Sequence, residues 1–263
     1  MKKNKEYDYS KRDIIKSLMK VGLKKGDNIF IHSNIGFFGK LKDANNKEEI
    51  YTIFKEAIFK VIEKDGTLVV PTFSYSYCWG KKFNKNETPS ICGFLSEMVR
   101  TDSKSLRSED ANFSIAAIGK NAEYYTKKTS KYSFGLNSFW DKFHKTNGKI
   151  CNFNFDSGST FFHYVERVLS VPYRYDKPFF DPSAPKNKKE KKVFYHFVYD
   201  LKKPNHKPNF TKFDKKAKKL GLTKTANLGK GQIVLISTRD TYNLIKKELQ
   251  NNPSFLIEGK LDI

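Results

Sequence analysis

The chain has 263 residues, 38% of them hydrophobic, and a formal net charge of +22. That length supports a well-formed core, as one large domain or a domain with a smaller appendage. No apolar run reaches the roughly 18 residues of a membrane span, and Met1-Lys2-Lys3-Asn4-Lys5 opens without the apolar stretch of a secretory signal. The excess charge admits an anionic partner, but it is carried by Lys, with only six Arg. Lysine is a solvated point charge, whereas base and phosphate readout favours the arginine fork.

Taken in order, Ser10 is placed to cap a helix running to about Val21, with Asp13 completing a weaker version of the capping box and Gly22 closing the end. Asn28 to His32 is a short apolar strand. It empties into His32-Ser33-Asn34-Ile35-Gly36-Phe37-Phe38-Gly39, a loop whose small residues let backbone approach a ligand. Between Lys47 and Lys64, the spacing of Ile50, Phe54, Ala57, Ile58, Val61 and Ile62 predicts an amphipathic helix turned to the core. Asp65-Gly66 then turns the chain into Thr67 to Phe73, a buried strand ended by proline. Strand, helix and strand in succession predict a βαβ unit and hence a parallel pairing in an α/β fold. Ligands of such sheets bind beyond the carboxyl ends of the strands, where the residues after His32 and Pro71 fall.

Residues 74–92 form a long aromatic irregular segment of the kind that carries function in compact domains. A helix is expected over 93–100, a strand in the last part of 106–119, helices over 121–125 and 138–143, and a strand over 149–153. Phe155-Asp156-Ser157-Gly158-Ser159-Thr160-Phe161-Phe162-His163-Tyr164-Val165-Glu166-Arg167 follows. Thr160 is a good helix N-cap. A helix starting there puts His163 in its first turn and Glu166 on the same face one turn later. The helix dipole disfavours an imidazolium at that end, while the carboxylate orients the ring. A neutral, oriented imidazole beside a polar loop is what a general base requires. Beyond it, 171–175 reads as extended, Lys186 to Lys192 as an exposed charge run, 193–200 as an alternating strand, and 210–220 as a basic helix. A strand over 232–238 and a helix over 240–249 complete the chain.

Together these segments resemble the aminoglycoside 3-N-acetyltransferase family. The resemblance rests on His32-Ser33 with Gly39, and Asp65-Gly66-Thr67-Leu68-Val69-Val70-Pro71-Thr72. It continues through 93–100, Leu106-Arg107-Ser108 up to Ser114-Ile115-Ala116-Ala117-Ile118-Gly119, Phe134 to Ser138, and Thr160-Phe161-Phe162-His163-Tyr164-Val165-Glu166. It covers about 10–180, with a weaker-matching part over 181–263, and one acetyltransferase domain is expected over 1–263. The resemblance implies an α/β fold with a mixed, largely parallel central sheet, helices on both faces and antiparallel C-terminal strands. It also implies acetyl-CoA as co-substrate, direct transfer to an amine, no metal, and His163 as base with Glu166 as partner. Ser33, Asn34, Ile35, Thr72, Arg107, Ser108 and Ser114 are the expected donor-binding residues. Among them Ser33, Thr72 and Ser114 are candidates for oxyanion donors, and Arg107 for the donor's phosphates. Tyr75, Asp110, Asp156 and Tyr173 are expected to face the acceptor.

Two segments depart from the family pattern, Asp110-Ala111 where a His-Pro is common and Phe153-Asn154-Phe155 where the strand end is usually glycine-rich. A +22 chain is also a poor attractor for polycationic drugs, so a nucleotide-linked amino sugar for surface-glycan synthesis suits the charge better than an antibiotic. A lysine-rich nucleic-acid-binding protein is the competing reading from another class, and no recognised nucleic-acid module supports it. A hydrolase reading finds no Gly-x-Ser-x-Gly elbow, and a metal reading would draw on Asp141, His144, His163 and Glu166. Cys78, Cys92 and Cys151 share no Cys-x-x-Cys spacing, which points to a reducing, cytoplasmic setting. A homodimer is compatible with these readings.

Overall fold

The computed structural model describes residues 7–185 and 192–261. The charge run predicted over 186–192 therefore lies, apart from Lys192, outside the described residues. The first helix, α1 (Lys11–Lys20), carries the full capping box: the Ser10 side chain accepts from the Asp13 N–H and Asp13 accepts from the Ser10 N–H. Strand β1 (Asn28–Phe30) leads through a 3-10 turn at Ile35–Phe38 to α2 (Lys47–Ile62), and then to β2 (Thr67–Pro71). Gly39 ends that turn at φ 88°, where an added Cβ would lie 2.2 Å from Asp8 Oδ2. Next come α3 (Phe94–Thr101), β3 (Leu106–Arg107), β4 (Ile115–Gly119), α4 (Ala122–Thr126), α5 (Phe139–Lys145) and β5 (Lys149–Phe153). After α6 (Phe161–Val168), β6 (Arg174–Phe180) and β7 (Val193–Tyr199), the chain closes with α7 (Thr211–Lys219), β8 (Lys224–Leu228), β9 (Gly231–Ser237) and α8 (Thr238–Asn251).

Seven strands form one sheet in the order β3-β4-β2-β1-β5-β9-β8. The βαβ expectation is met, since β1 lies parallel to β2 and also to β5. Parallel pairing stops there. The β2–β4, β3–β4, β5–β9 and β8–β9 pairs are antiparallel. The sheet is thus mixed with a parallel centre, and antiparallel strands enter at β4, well before the C-terminal part.

Side-chain alternation along the central strands feeds two separate cores, because a strand presents successive residues to opposite faces. Ile29, Leu68, Val70, Ala116, Cys151 and Ile233 pack with α1, α2 and α3. Phe30, Val69, Ala117, Ile150 and Ile236 pack with α4 to α8. Burial on both faces explains why these strands read as continuous apolar runs. The remaining strands, β6 and β7, form a separate antiparallel hairpin sheet pairing Arg174 with Tyr199 and Phe180 with Val193. Arg167 of α6 anchors it through Asp176, donating from Nε at 3.0 Å and Nη2 at 2.8 Å. Among the described residues no helix is long and apolar enough to cross a membrane.

Candidate active site

Helix α6 starts differently from the expectation. Thr160 already has helical dihedrals, φ −55° and ψ −21°, and its side chain makes no cap bond. Ser159 does the capping instead, its Oγ accepting from the Phe161 N–H at 3.2 Å. The same hydroxyl lies 3.4 Å from His32 Nε2, at the end of the β1 extension. The loop before α6 is pinned from below by Asp214 of α7, whose Oδ1 accepts from both the N–H and the hydroxyl of Ser157.

His163 and Glu166 meet as predicted: His163 Nδ1 is 2.6 Å from Glu166 Oε2. The Glu166 side chain is fully buried and that of His163 is 17% exposed. Burial, reinforced by the Arg174 cation, lowers the His163 pKa against the pull of Glu166. Burial alone would raise the Glu166 pKa, but contacts with His163, Arg174 and Tyr173 outweigh it and hold the carboxyl below its ordinary value. An ionised Glu166 accepts a proton-bearing Nδ1, so Nε2 keeps its lone pair. Phe134 packs edge-on against the ring at 5.4 Å and Phe210 lies at 5.8 Å, which fixes its plane.

The imidazole lines a cavity of about 510 Å³ together with Tyr75, Phe113, Phe134, Arg174 and the inner side of the β6–β7 hairpin. Tyr75, expected to face an acceptor, does line this space, held at φ 49° and packed against Phe113 and Trp79. Tyr173 stands behind the base instead. It is 2% exposed and its phenol is set against the Glu166 carboxylate, which with burial raises its pKa. Asp156 is exposed and lines a separate cleft of about 300 Å³ with His32 and Ser159. Ile35 lines a third cavity, of about 700 Å³, with Lys40, Lys47 and the start of α3. Ser33 and Asn34 carry the chain between these spaces, bridging to Phe153 through the Asn34 N–H at 2.9 Å.

The other expected residues turn inward. Thr72 and Ser114 bond to one another, hydroxyl to hydroxyl at 3.1 Å and Ser114 Oγ to Thr72 O at 2.7 Å. Arg107 closes the cluster, donating to both hydroxyls from Nε, to Thr72 O from Nη2, and to Lys85 O and Thr88 O from Nη1. With its donors engaged and burial pushing its pKa down to about 10, Arg107 is not free to meet a phosphate. Thr72 and Ser114 are likewise not free to receive an oxyanion. Ser108 Oγ accepts from the Ile115 N–H at 3.0 Å, a strand-end closure. Asp110 accepts from Asn112 N, Phe113 N and Ser133 Oγ, and so caps a buried turn instead of facing an acceptor.

Asp141 and His144 also part from the metal reading, since Asp141 takes Lys145 at 2.8 Å and Tyr164 at 3.0 Å. Among the described residues no group of three His, Cys, Asp or Glu side chains could hold a metal ion. Two residues of the site escaped the sequence reading. Arg174 is 2.9 Å from Glu166 Oε2, and His196, across the hairpin, lies buried between Phe113 at 4.5 Å and Phe179 at 5.0 Å.

Comparison with known proteins bears on the fold and the family. The SPbeta prophage-derived aminoglycoside N(3')-acetyltransferase-like protein YokD of Bacillus subtilis (strain 168) is 26% identical over an alignment of 190 residues that covers 63% of this chain. The match spans 66% of that relative, just under two thirds of its length. The crystal structure of aminoglycoside acetyltransferase AAC(3)-Xa superposes with a TM-score of 0.77 at 16% identity, over 92% of each chain. AAC-IIIb in a binary complex with CoASH superposes at 0.73 and 19% identity, over 92% of this chain and 96% of that one. These structures share the mixed α/β fold. The family model for aminoglycoside 3-N-acetyltransferases matches residues 30–250, a span holding every strand of the sheet but the first residues of β1, together with the His163–Glu166 pair; the chain belongs to that family.

Proposed function

We propose that the protein transfers an acetyl group from acetyl-CoA to the amine of an amino sugar, with His163 as general base and Glu166 as its orienting partner. The 2.6 Å contact between His163 Nδ1 and Glu166 Oε2, on the wall of the 510 Å³ cavity, carries this reading. An alkylammonium is not nucleophilic, so the acceptor reacts as the free amine, one proton already released to solvent, and must lose a second as it attacks. His163 Nε2 takes that proton while the N–C bond forms and the C–S bond breaks, and the proton then passes to the departing thiolate. Acetyl-CoA supplies the activated thioester. The 700 Å³ cavity suits such a donor, with Ile35, Leu41 and Phe94 as apolar bed and Lys40 and Lys47 as counter-charges for phosphate. The His32–Ile35 segment runs from Ser159, at the base's helix, to that cavity.

The acceptor cavity supports a finer reading. Among the described residues its charged lining, apart from the Arg174 paired with Glu166, is Lys177 and Lys202 against Asp200. A polycation gains little from such walls, whereas an amino sugar bearing phosphates, such as a nucleotide-linked one, meets complementary charge. Tyr75 and Tyr175 offer ring faces for the sugar. The family match across residues 30–250 favours a second reading, acetylation of an aminoglycoside itself. A free-thiol release assay with acetyl-CoA, run across aminoglycosides and nucleotide-linked amino sugars, separates them. Higher kcat/KM for the drugs would replace the first acceptor class by the second, and no thiol release with any amine would remove the activity.

A further inference from the structure

A buried histidine paired with a buried carboxylate has a built-in weakness as a base. The carboxylate draws the ring toward imidazolium, against the burial that favours the neutral form. Something must offset the carboxylate without breaking its bond to the ring. Arg174 is in that position. It opens β6, its side chain is 3% exposed, and its Nε lies 2.9 Å from Glu166 Oε2, the same oxygen that faces His163 Nδ1. Nη1 donates to Phe197 O of β7 at 3.1 Å, and the Tyr199 ring covers the guanidinium at 5.7 Å.

Resting on the reading of His163 as base, we propose that Arg174 is a positioning residue for acyl transfer: it balances Glu166, so that the imidazole stays neutral with its proton on Nδ1 and its lone pair on Nε2. The pair of Arg174 and Glu166 carries no net charge, so protonating His163 places an uncompensated cation in a desolvated site. Tyr173, immediately before Arg174 in the chain, sets its phenol against the same carboxylate and adds no charge. The other ionisable groups lining the cavity are Cys78, Tyr75, Tyr175, Lys177, His196, Tyr199, Asp200 and Lys202. Lys177 and Lys202 are exposed and screened by solvent. Asp200 accepts from the Lys202 N–H at the hairpin end, and burial keeps His196 neutral. Arg174 is therefore the cation that governs the ring.

The test is an NMR titration of the His163 imidazole, assigned by its loss in His163→Asn, alongside the pH profile of kcat/KM. In Arg174→Gln both the imidazole midpoint and the acid limb should rise by about one pH unit or more. In Arg174→Lys, which keeps the charge, both should stay within about half a unit of the parent. An imidazole midpoint that is unmoved or falls in folded Arg174→Gln overturns the proposal. If Arg174→Gln does not fold, Arg174→Lys decides alone: a midpoint near that of the parent supports charge balance, and a rise of a unit or more overturns it. Failure of the base reading looks different. It appears as undiminished thiol release by His163→Asn, whatever the imidazole titration shows.

Discussion

Arg107 and Arg174 make an instructive pair, because each is 8% exposed and each sits in a cluster of buried polar side chains. Arg107 spends its donors on neutral oxygens: two hydroxyls and three carbonyls. Nothing in that cluster changes charge, and its donors are consumed in tying β2, β4 and the 85–88 loop together. Arg174 instead meets a carboxylate that also holds an imidazole facing open space. Equal burial therefore produces a rivet in one place and, in the proposed function, a reactive centre in the other. What separates them is the charge of the acceptor and whether one lone pair is left unspent.

The largest expected break in that comparison is His163→Ala. It should lower turnover by about 10²–10⁴-fold in the thiol-release assay while leaving the melting temperature nearly unchanged. Glu166→Gln should cost stability as well, because it strands the Arg174 cation in the interior. A loss of about 3–5 kcal/mol is expected in denaturant unfolding, and a variant as stable as the parent would show that Arg174 does not depend on that carboxylate. Arg107→Met leaves neutral acceptors unpaired and should cost less, about 1–3 kcal/mol. The acid limb of its kcat/KM profile should not move, since no ionised partner of the base is touched.

A smaller effect concerns pH. Burial takes His32 and His196 down to about 4, so both stay neutral in the fold where an unfolded histidine would take a proton. Below an unfolded pKa of about 6.5 the unfolded chain binds more protons, and stability should fall as pH drops from there toward 4. Melting temperatures across that range check the sign, and replacing His196 by Phe should flatten part of the slope. The smallest effect is expected at Cys78, half-buried beside His196 at 3.7 Å, with burial pushing its thiol up to about 12. Iodoacetamide at pH 8 should label it more slowly than a free cysteine, as mass spectrometry would read.

Local signals were legible and long-range ones were not. The capping box at Ser10, the stripe of α2 and the apolar β1, β2 and β5 could be read because each announces itself within a dozen residues. His163 and Glu166 were legible for the same reason, being one helical turn apart. Strand direction was harder. Apolar runs at 115–119 and 232–238 look alike whether they pair parallel or antiparallel, so the antiparallel entry of β4 left no trace in its own sequence. Edge strand β8 was missed because Lys224-Thr225-Ala226-Asn227-Leu228 buries only Ala226 and Leu228. Arg107, Asp110 and Ser114 looked functional because they are polar residues within a segment that resembles the family, and only the fold shows their partners to be internal. Arg174 was overlooked for the opposite reason, since its carboxylate partner is eight positions earlier and one element away.

The β6–β7 ribbon stands apart from the main sheet, yet it supplies both Arg174 and about half of the residues that line the cavity beside His163. In the proposed function, shape selection and reactivity are thereby written on the same short piece of chain. A protein descended from this one that altered its ribbon to admit a new molecule would also shift the acidity at which it works, and breadth of diet would come bound to a change of optimum.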